Sequence, residues 1–288
     1  IYNNTTWTLA NSPYLMTGSI VVFPGVTLTI EPGVEVRVKE HSLAEPQYYL
    51  EARGTINMVG QPDAPITFRA DTALTTVGAW AGFVIKNSQG GSINYNYVNI
   101  SNAVNCFGYE AIPDLIQLND CNFSYNFQAV VAGLDLVAEN CTFTNNEVAI
   151  YGWSNFTFRD CVFDNNVSAL YIFASSFEMQ DCIVKNNNLG VGLNAGAVNG
   201  ILVKNTLFEN NLLALYNANN GLIDSCDFID NAEAVKYTTY LNISNSNFDY
   251  NTIALEVGFG TKVHDCQIER NETGVALGPI SFGQPMPV

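Results

Sequence analysis

From Asp120 onward, apolar and polar positions recur in short alternating runs separated by polar bends, at a spacing of about twenty residues. Aligned, the segments read DCNFSYN, NCTFTNN, DCVFDNN, DCIVKNN, NTLFENN, SCDFIDN, NSNFDYN and DCQIERN. Cys121, Cys141, Cys161, Cys182, Cys226 and Cys266 mark the slot, and Thr206 and Ser246 fill its two vacancies. Two residues later stands an apolar side chain: Phe123, Phe143, Phe163, Val184, Phe208, Phe228, Phe248, Ile268. Five residues after the slot, Asn occupies every unit: Asn126, Asn146, Asn166, Asn187, Asn211, Asn231, Asn251 and Asn271. A small residue and an aliphatic one follow three further on, from Ala129-Val130 to Gly274-Val275. Self-similarity at a fixed period of this size marks a solenoid.

Each unit holds three short alternating runs and no stretch of helical period long enough to bury a face. Three strands per turn predict an all-β fold: a single right-handed parallel β-helix of about a dozen turns, with coils about 4.8 Å apart. The Asn column fits an inward ladder, because a carboxamide has donors and an acceptor for bend groups that water cannot reach. On this reading Asn211→Leu is costly, while Asn210→Leu, one residue earlier and outward, is nearly neutral. Earlier in the chain, SIVVFPGVTLTIEPGVEVRV alternates around Pro-Gly bends, and YYLEARGTINMVG, APITFRA and GAWAGFVIKNS continue as strands. One domain over 1–288 is expected: 1–16 as an N-terminal cap, 17–102 as irregular turns, 103–277 as regular turns, 278–288 as a tail or cap. Loops are expected at His41–Gln47, Asp71–Ala79, Cys106–Asp114 and Gly192–Gly200.

Charge narrows the partners. With 11 Lys+Arg against 27 Asp+Glu the net charge is −16, which disfavours nucleic acid and anionic membrane surfaces. No apolar run is long enough to insert in a membrane. The chain begins at Ile1 without Met, which fits a processed protein or an excised fragment. Polarity comes largely from 36 Asn. Nine Asn-x-Ser/Thr sequons occur, where chance pairing gives about four. The alternation faces Asn99, Asn122, Asn155 and Asn242 outward, Asn140 lies at a bend, and Asn3 and Asn4 at the terminus. These seven are the N-glycosylation candidates; Asn166 and Asn271 fall in the inward column and are expected bare.

Candidate chemistry is sparse. Arg37 and Lys39 alternate outward on a strand, His41 and His264 are the only histidines, and His264 sits at a regular bend. The slot before Cys reads Asp120, Asn140, Asp160, Asp181, Asn205, Ser225, Asn245 and Asp265. On consecutive turns Asp160 and Asp181 would lie about 5 Å apart, a separation that suits paired catalytic carboxylates or calcium. Asp, Asn and Ser are equally the residues of tight bends, which is the reading preferred here. No cofactor is expected, with calcium at Asp160 and Asp181 the one candidate. Parallel Cβ vectors keep stacked cysteines too far apart for disulfides, so buried thiols are expected. Zinc would need converging ligands, and scattered Thr do not form the flat array of an ice-binding face.

The GVTLTIEPGVEVRV opening, the GAWAGFVI segment and the Cys-x-Phe-x-x-Asn turns resemble right-handed parallel β-helix proteins of the pectin-lyase-like superfamily, in particular secreted and cell-surface repeat proteins. The resemblance implies the fold over most of the chain. It leaves function open, since the superfamily includes polysaccharide lyases, glycoside hydrolases, phage tailspikes and adhesins. The expected function is an extracellular or surface structural or adhesive glycoprotein, a subunit of a coat or fibre, with itself or surface glycans as partners. The alternative is a polysaccharide-binding or polysaccharide-degrading enzyme.

Overall fold

The three runs of each unit become the three walls of a coil in the computed structural model, which describes residues 1–39, 48–71, 75–109, 115–133, 135–193 and 200–278. Every inter-strand ladder is parallel. The second wall is a single sheet of 12 strands, from Tyr14–Met16 to Gln267–Glu269, so the described residues form twelve coils. The first and third walls begin as separate four-stranded sheets and merge later. There, strands Val148–Arg159, Ser168–Gln180 and Glu233–Ser244 run unbroken around the corner between them.

Ile1–Met16, expected as a cap, builds the first coil: Thr5–Trp7 pairs with Leu28–Ile30, and Tyr14–Met16 with Val36–Val38. The expected loop at 41–47 and the expected tail beyond residue 278 lie outside the described residues. The expectation for Cys106–Asp114 is corrected over its first part, because Phe107–Tyr109 is a strand in register with Phe83–Ile85, while 110–114 lie outside the described residues. Gly192 likewise belongs to the strand Leu189–Leu193. The remainder of that second expected loop, 194–199, lies outside the described residues.

The core is a set of columns. Phe123, Phe143 and Phe163 stack at 5.0 and 4.9 Å between ring centroids, and Phe208, Phe228 and Phe248 at 4.7 and 4.8 Å. Val184 fills the slot between the two stacks, fully buried. Such spacing is the coil rise itself, so one aromatic per coil packs its ring face to face with the next.

The Asn column is a continuous hydrogen-bonded ladder beside it. From Asn146 onward each Oδ1 accepts two bonds from the Asn one coil earlier: the Asn211 carboxamide receives the backbone N–H of Asn187 at 3.0 Å and its Nδ2 at 3.0 Å. Each Nδ2 also donates back to the apolar slot of the coil before, as Asn211 does to the Val184 carbonyl at 2.9 Å. The same pair of links repeats from Asn126 to Asn251, and Asn271 closes the described ladder. Buried amide and carbonyl groups of the bend are thereby paired without water.

Among the described residues the stack has one seam. Ser92–Asn96 ends the early first-wall sheet and Leu115–Asn119 opens the later one, with no ladder between them among the described residues. A cleft of about 440 Å³ lies there, lined by Ile93, Tyr95, Leu115 and Gln117. On the third wall the link shrinks to a bridge between Asn105 and Gln128. Among the described residues only the second wall crosses intact, through Asn99–Ser101 on Asn122–Ser124.

Candidate functional site

The acids singled out from sequence are turn residues. Asp120, Asn140, Asp160, Asp181, Asn205, Ser225, Asn245 and Asp265 all adopt left-handed backbone, with φ between 46° and 58°. Asp and Asn tolerate that region because a short polar side chain bonds locally. Asp160 and Asp181 are both exposed, and Asn205 Nδ2 donates to Asp181 Oδ1 at 3.2 Å. No group of three or more His, Cys, Asp or Glu able to hold a metal occurs among the described residues. His264 is exposed, with Nδ1 2.9 Å from Asp265 Oδ2.

Arg37 points outward between buried Val36 and Val38, hydrogen-bonded to Glu35, whose carboxylate also takes Arg69. The Arg37 bond holds the Glu35 carboxyl below the usual carboxylate range. All seven cysteines are free thiols, and all but Cys266 are buried. Burial pushes Cys121 up to about 11 and Cys226 up to about 12, so both stay un-ionised at neutral pH and serve as small core residues.

The residue before each ladder Asn is also left-handed: Tyr125, Asn145, Asn165, Asn186, Asn210, Asp230, Tyr250 and Arg270. This second bend row faces outward and lines a groove of about 960 Å³ that runs along successive coils from Asn145 to Tyr250. Its amides bond from coil to coil, Asn186 Nδ2 to Asp164 Oδ1 at 2.7 Å and Asn210 Nδ2 to Asn186 Oδ1 at 2.8 Å. At the last coil the Arg270 guanidinium lies 4.3 Å over the Tyr250 ring and pairs with Asp249.

Among the sequons, Asn3, Asn4, Asn122, Asn140 and Asn242 are exposed, while Asn99 and Asn155 are half-buried. Asn166 is buried in the ladder, and Asn271 donates to the carbonyls of Phe248 and Glu269. Asn155 is held: its Nδ2 donates to Asp135 Oδ1 at 2.8 Å.

An aromatic face escaped the sequence reading. Tyr151 and Tyr171 stack at 5.9 Å on adjacent coils, and each meets a second ring edge-on, Trp153 at 5.7 Å and Phe173 at 5.8 Å. Trp153 and Phe173 are 44% and 43% exposed. The signal was available as two aromatics at matching outward positions of consecutive repeats, but the inward columns dominate the alignment.

With this geometry in place, two family models match: a pectate-lyase-like β-helix domain over residues 1–106 and a right-handed β-helix region over residues 148–278. The chain is a parallel β-helix, the fold the resemblance implied, with its early coils matching the pectate-lyase-like model and its later coils the right-handed β-helix model. No curated protein matches the sequence. Two solved structures are similar. One is an alginate lyase from Paenibacillus sp. str. FPU-7, 11% identical over 91% of this chain and 99% of that one, with a TM-score of 0.31. The other is the receptor-binding protein of bacteriophage Det7, described as a podoviral tailspike in a myovirus, 9% identical over 99% of this chain and 73% of that one, with a TM-score of 0.35. Likeness at this level carries no argument about activity.

Proposed function

We propose that the protein is an extracellular or surface-displayed β-helical scaffold whose task is adhesion or assembly, with surface glycans or further copies of itself as partners. The observation that supports this is how the recurrent polar residues are used. The column Asn close the ladder, the bend acids hold left-handed turns, and the outward remainder forms rows parallel to the long axis. A row of amides and rings repeating at the coil spacing suits a long repetitive ligand or a like-shaped neighbour. The sequon excess accords with passage through a secretory pathway. The test is incubation with a panel of polysaccharides, with and without calcium, followed by assay of reducing ends and unsaturated products. Retention without depolymerisation is expected; release of either product would replace this reading with the degrading enzyme.

A further inference from the structure

The four rings on the strands Val148–Arg159 and Ser168–Gln180 stand beside the one irregular step in that pair of strands. Register shifts between Ser154 and Asn155 as the strand pairs with the next coil, and Ser154 carries a φ of 143°, a strained value for a residue with a side chain. Asp135 clamps the bulge: its Oδ1 accepts Ser154 Oγ at 2.8 Å, Asn155 Nδ2 at 2.8 Å and the Asn155 amide at 3.4 Å. From the next coil, Ser176 Oγ donates to Asn155 Oδ1 at 2.8 Å. A bulge re-aims the side chains around it, and here it adjoins exposed Trp153.

We infer that this shelf, the rings of Tyr151, Trp153, Tyr171 and Phe173 with the ledge of Asp135, Ser154, Asn155 and Ser176, is a binding site for an uncharged polysaccharide. The inference rests on the adhesion reading above and names its ligand class. The rings form two matching pairs on adjacent coils, Tyr151 opposite Tyr171 and Trp153 opposite Phe173. Within each coil the two rings, Tyr151 with Trp153 and Tyr171 with Phe173, meet edge-on at 82°, so one ring of each coil turns its face where the other turns its edge. The pairs repeat from one coil to the next, with the two tyrosine centroids 5.9 Å apart, so successive sugar rings of an extended chain can meet successive pairs. Apolar C–H faces of sugars pack on aromatic faces, while their hydroxyls need donors and acceptors alongside. The ledge supplies a carboxylate, an amide and two hydroxyls at the rim of the rings.

Charge selects among glycans. The chain carries −16, and the ledge contributes a carboxylate with no cation bonded to it among its hydrogen-bond partners, so a polyuronate or sulfated chain meets repulsion. A neutral glycan gains the aromatic packing without that penalty. Four contiguous large rings on a soluble face also exceed the scattered surface apolar residues that need no explanation.

The experiment uses the whole chain and soluble hexasaccharides: cello-, xylo-, manno- and laminarihexaose, with hexagalacturonate as the anionic member. Trp7 and Trp80 are buried, so tryptophan fluorescence reports Trp153. At least one neutral hexamer is expected to shift the emission, and hexagalacturonate is not. Trp153→Ala and Tyr171→Ala should each weaken calorimetric affinity about tenfold, as the loss of a hot-spot aromatic does, with unchanged melting temperature. Tyr240→Ala, outside the shelf, should leave affinity unaltered. Neutral-glycan affinity that survives both shelf variants would overturn the shelf and leave the adhesion reading standing. So would self-association abolished by Trp153→Ala, which would assign the face to a second copy. Failure of every hexamer to bind would also overturn it, whereas depolymerisation with the shelf variants impaired would overturn only the adhesion reading.

Discussion

At the residue scale, two neighbouring asparagines separate two kinds of energy. Asn211→Leu strips partners from the Asn187 amide and the Val184 carbonyl, buried groups worth about 1–3 kcal/mol each when left unpaired. A loss of several kcal/mol in urea unfolding is expected. Asn210→Leu, nearly neutral from the sequence pattern, is expected to cost about 1–2 kcal/mol, because residue 210 is left-handed at φ 53° and a Cβ-bearing residue without a polar tip is disfavoured there. Asn210→Gly should recover most of that cost. Melting temperature should therefore be highest for Asn210→Gly, lower for Asn210→Leu and lowest for Asn211→Leu. The inward column was legible because Asn fills every unit. The left-handed row before it was not, since Tyr125, Tyr250 and Arg270 share that backbone with four Asn and one Asp, and residues of that kind do not advertise it.

The sequons divide on the same physics. Glycosylation modifies Nδ2, which must be free to reach the transferase. Asn166 and Asn271 spend theirs on bend carbonyls, and Asn155 on Asp135. Expressed through a eukaryotic secretory pathway, the protein is expected to carry sugar at Asn3, Asn140 and Asn242 and to leave Asn155, Asn166 and Asn271 bare by glycopeptide mass spectrometry. Sugar on Asn166 would contradict the buried ladder. Asn155 moves from the expected glycosylated set because alternation gave its direction but not the bulge that engages it.

At the scale of the element, the sequence yielded the strands through their period and missed places where the period slips. Leu222 and Ile223 together read as one apolar run. In the coil it is Gly221 and Ile223 that share the inward columns, with Gly221 in register between Ile201 and Leu241. A Cβ at Gly221 would come within 2.2 Å of the Ile201 carbonyl oxygen and 2.7 Å of its Cβ. Gly221→Ala is therefore expected to destabilise by about 1–3 kcal/mol or more through overpacking against backbone, read as a drop in the denaturation midpoint. Leu222→Ala, on the half-exposed neighbour, should cost less than half of that. The reverse ordering would put Leu222 in the core.

At the scale of the whole molecule, stability in a solenoid is a sum of coil terms and neighbour contacts. The Asn ladder joins coils five to twelve, reinforced by two runs of stacked Phe; the seam before them leaves one intact wall among the described residues. That inequality gives the rod a mechanical character. Tension applied along the axis is shared by three ladders nearly everywhere, but between Ser92–Asn96 and Leu115–Asn119 it concentrates on the second wall. Pulled from its ends in a single-molecule force experiment, the chain is expected to yield first there, releasing the early coils while the later eight hold. A tethered protein built this way has a fuse, and the part that stays wound under load is the part that carries the aromatic shelf.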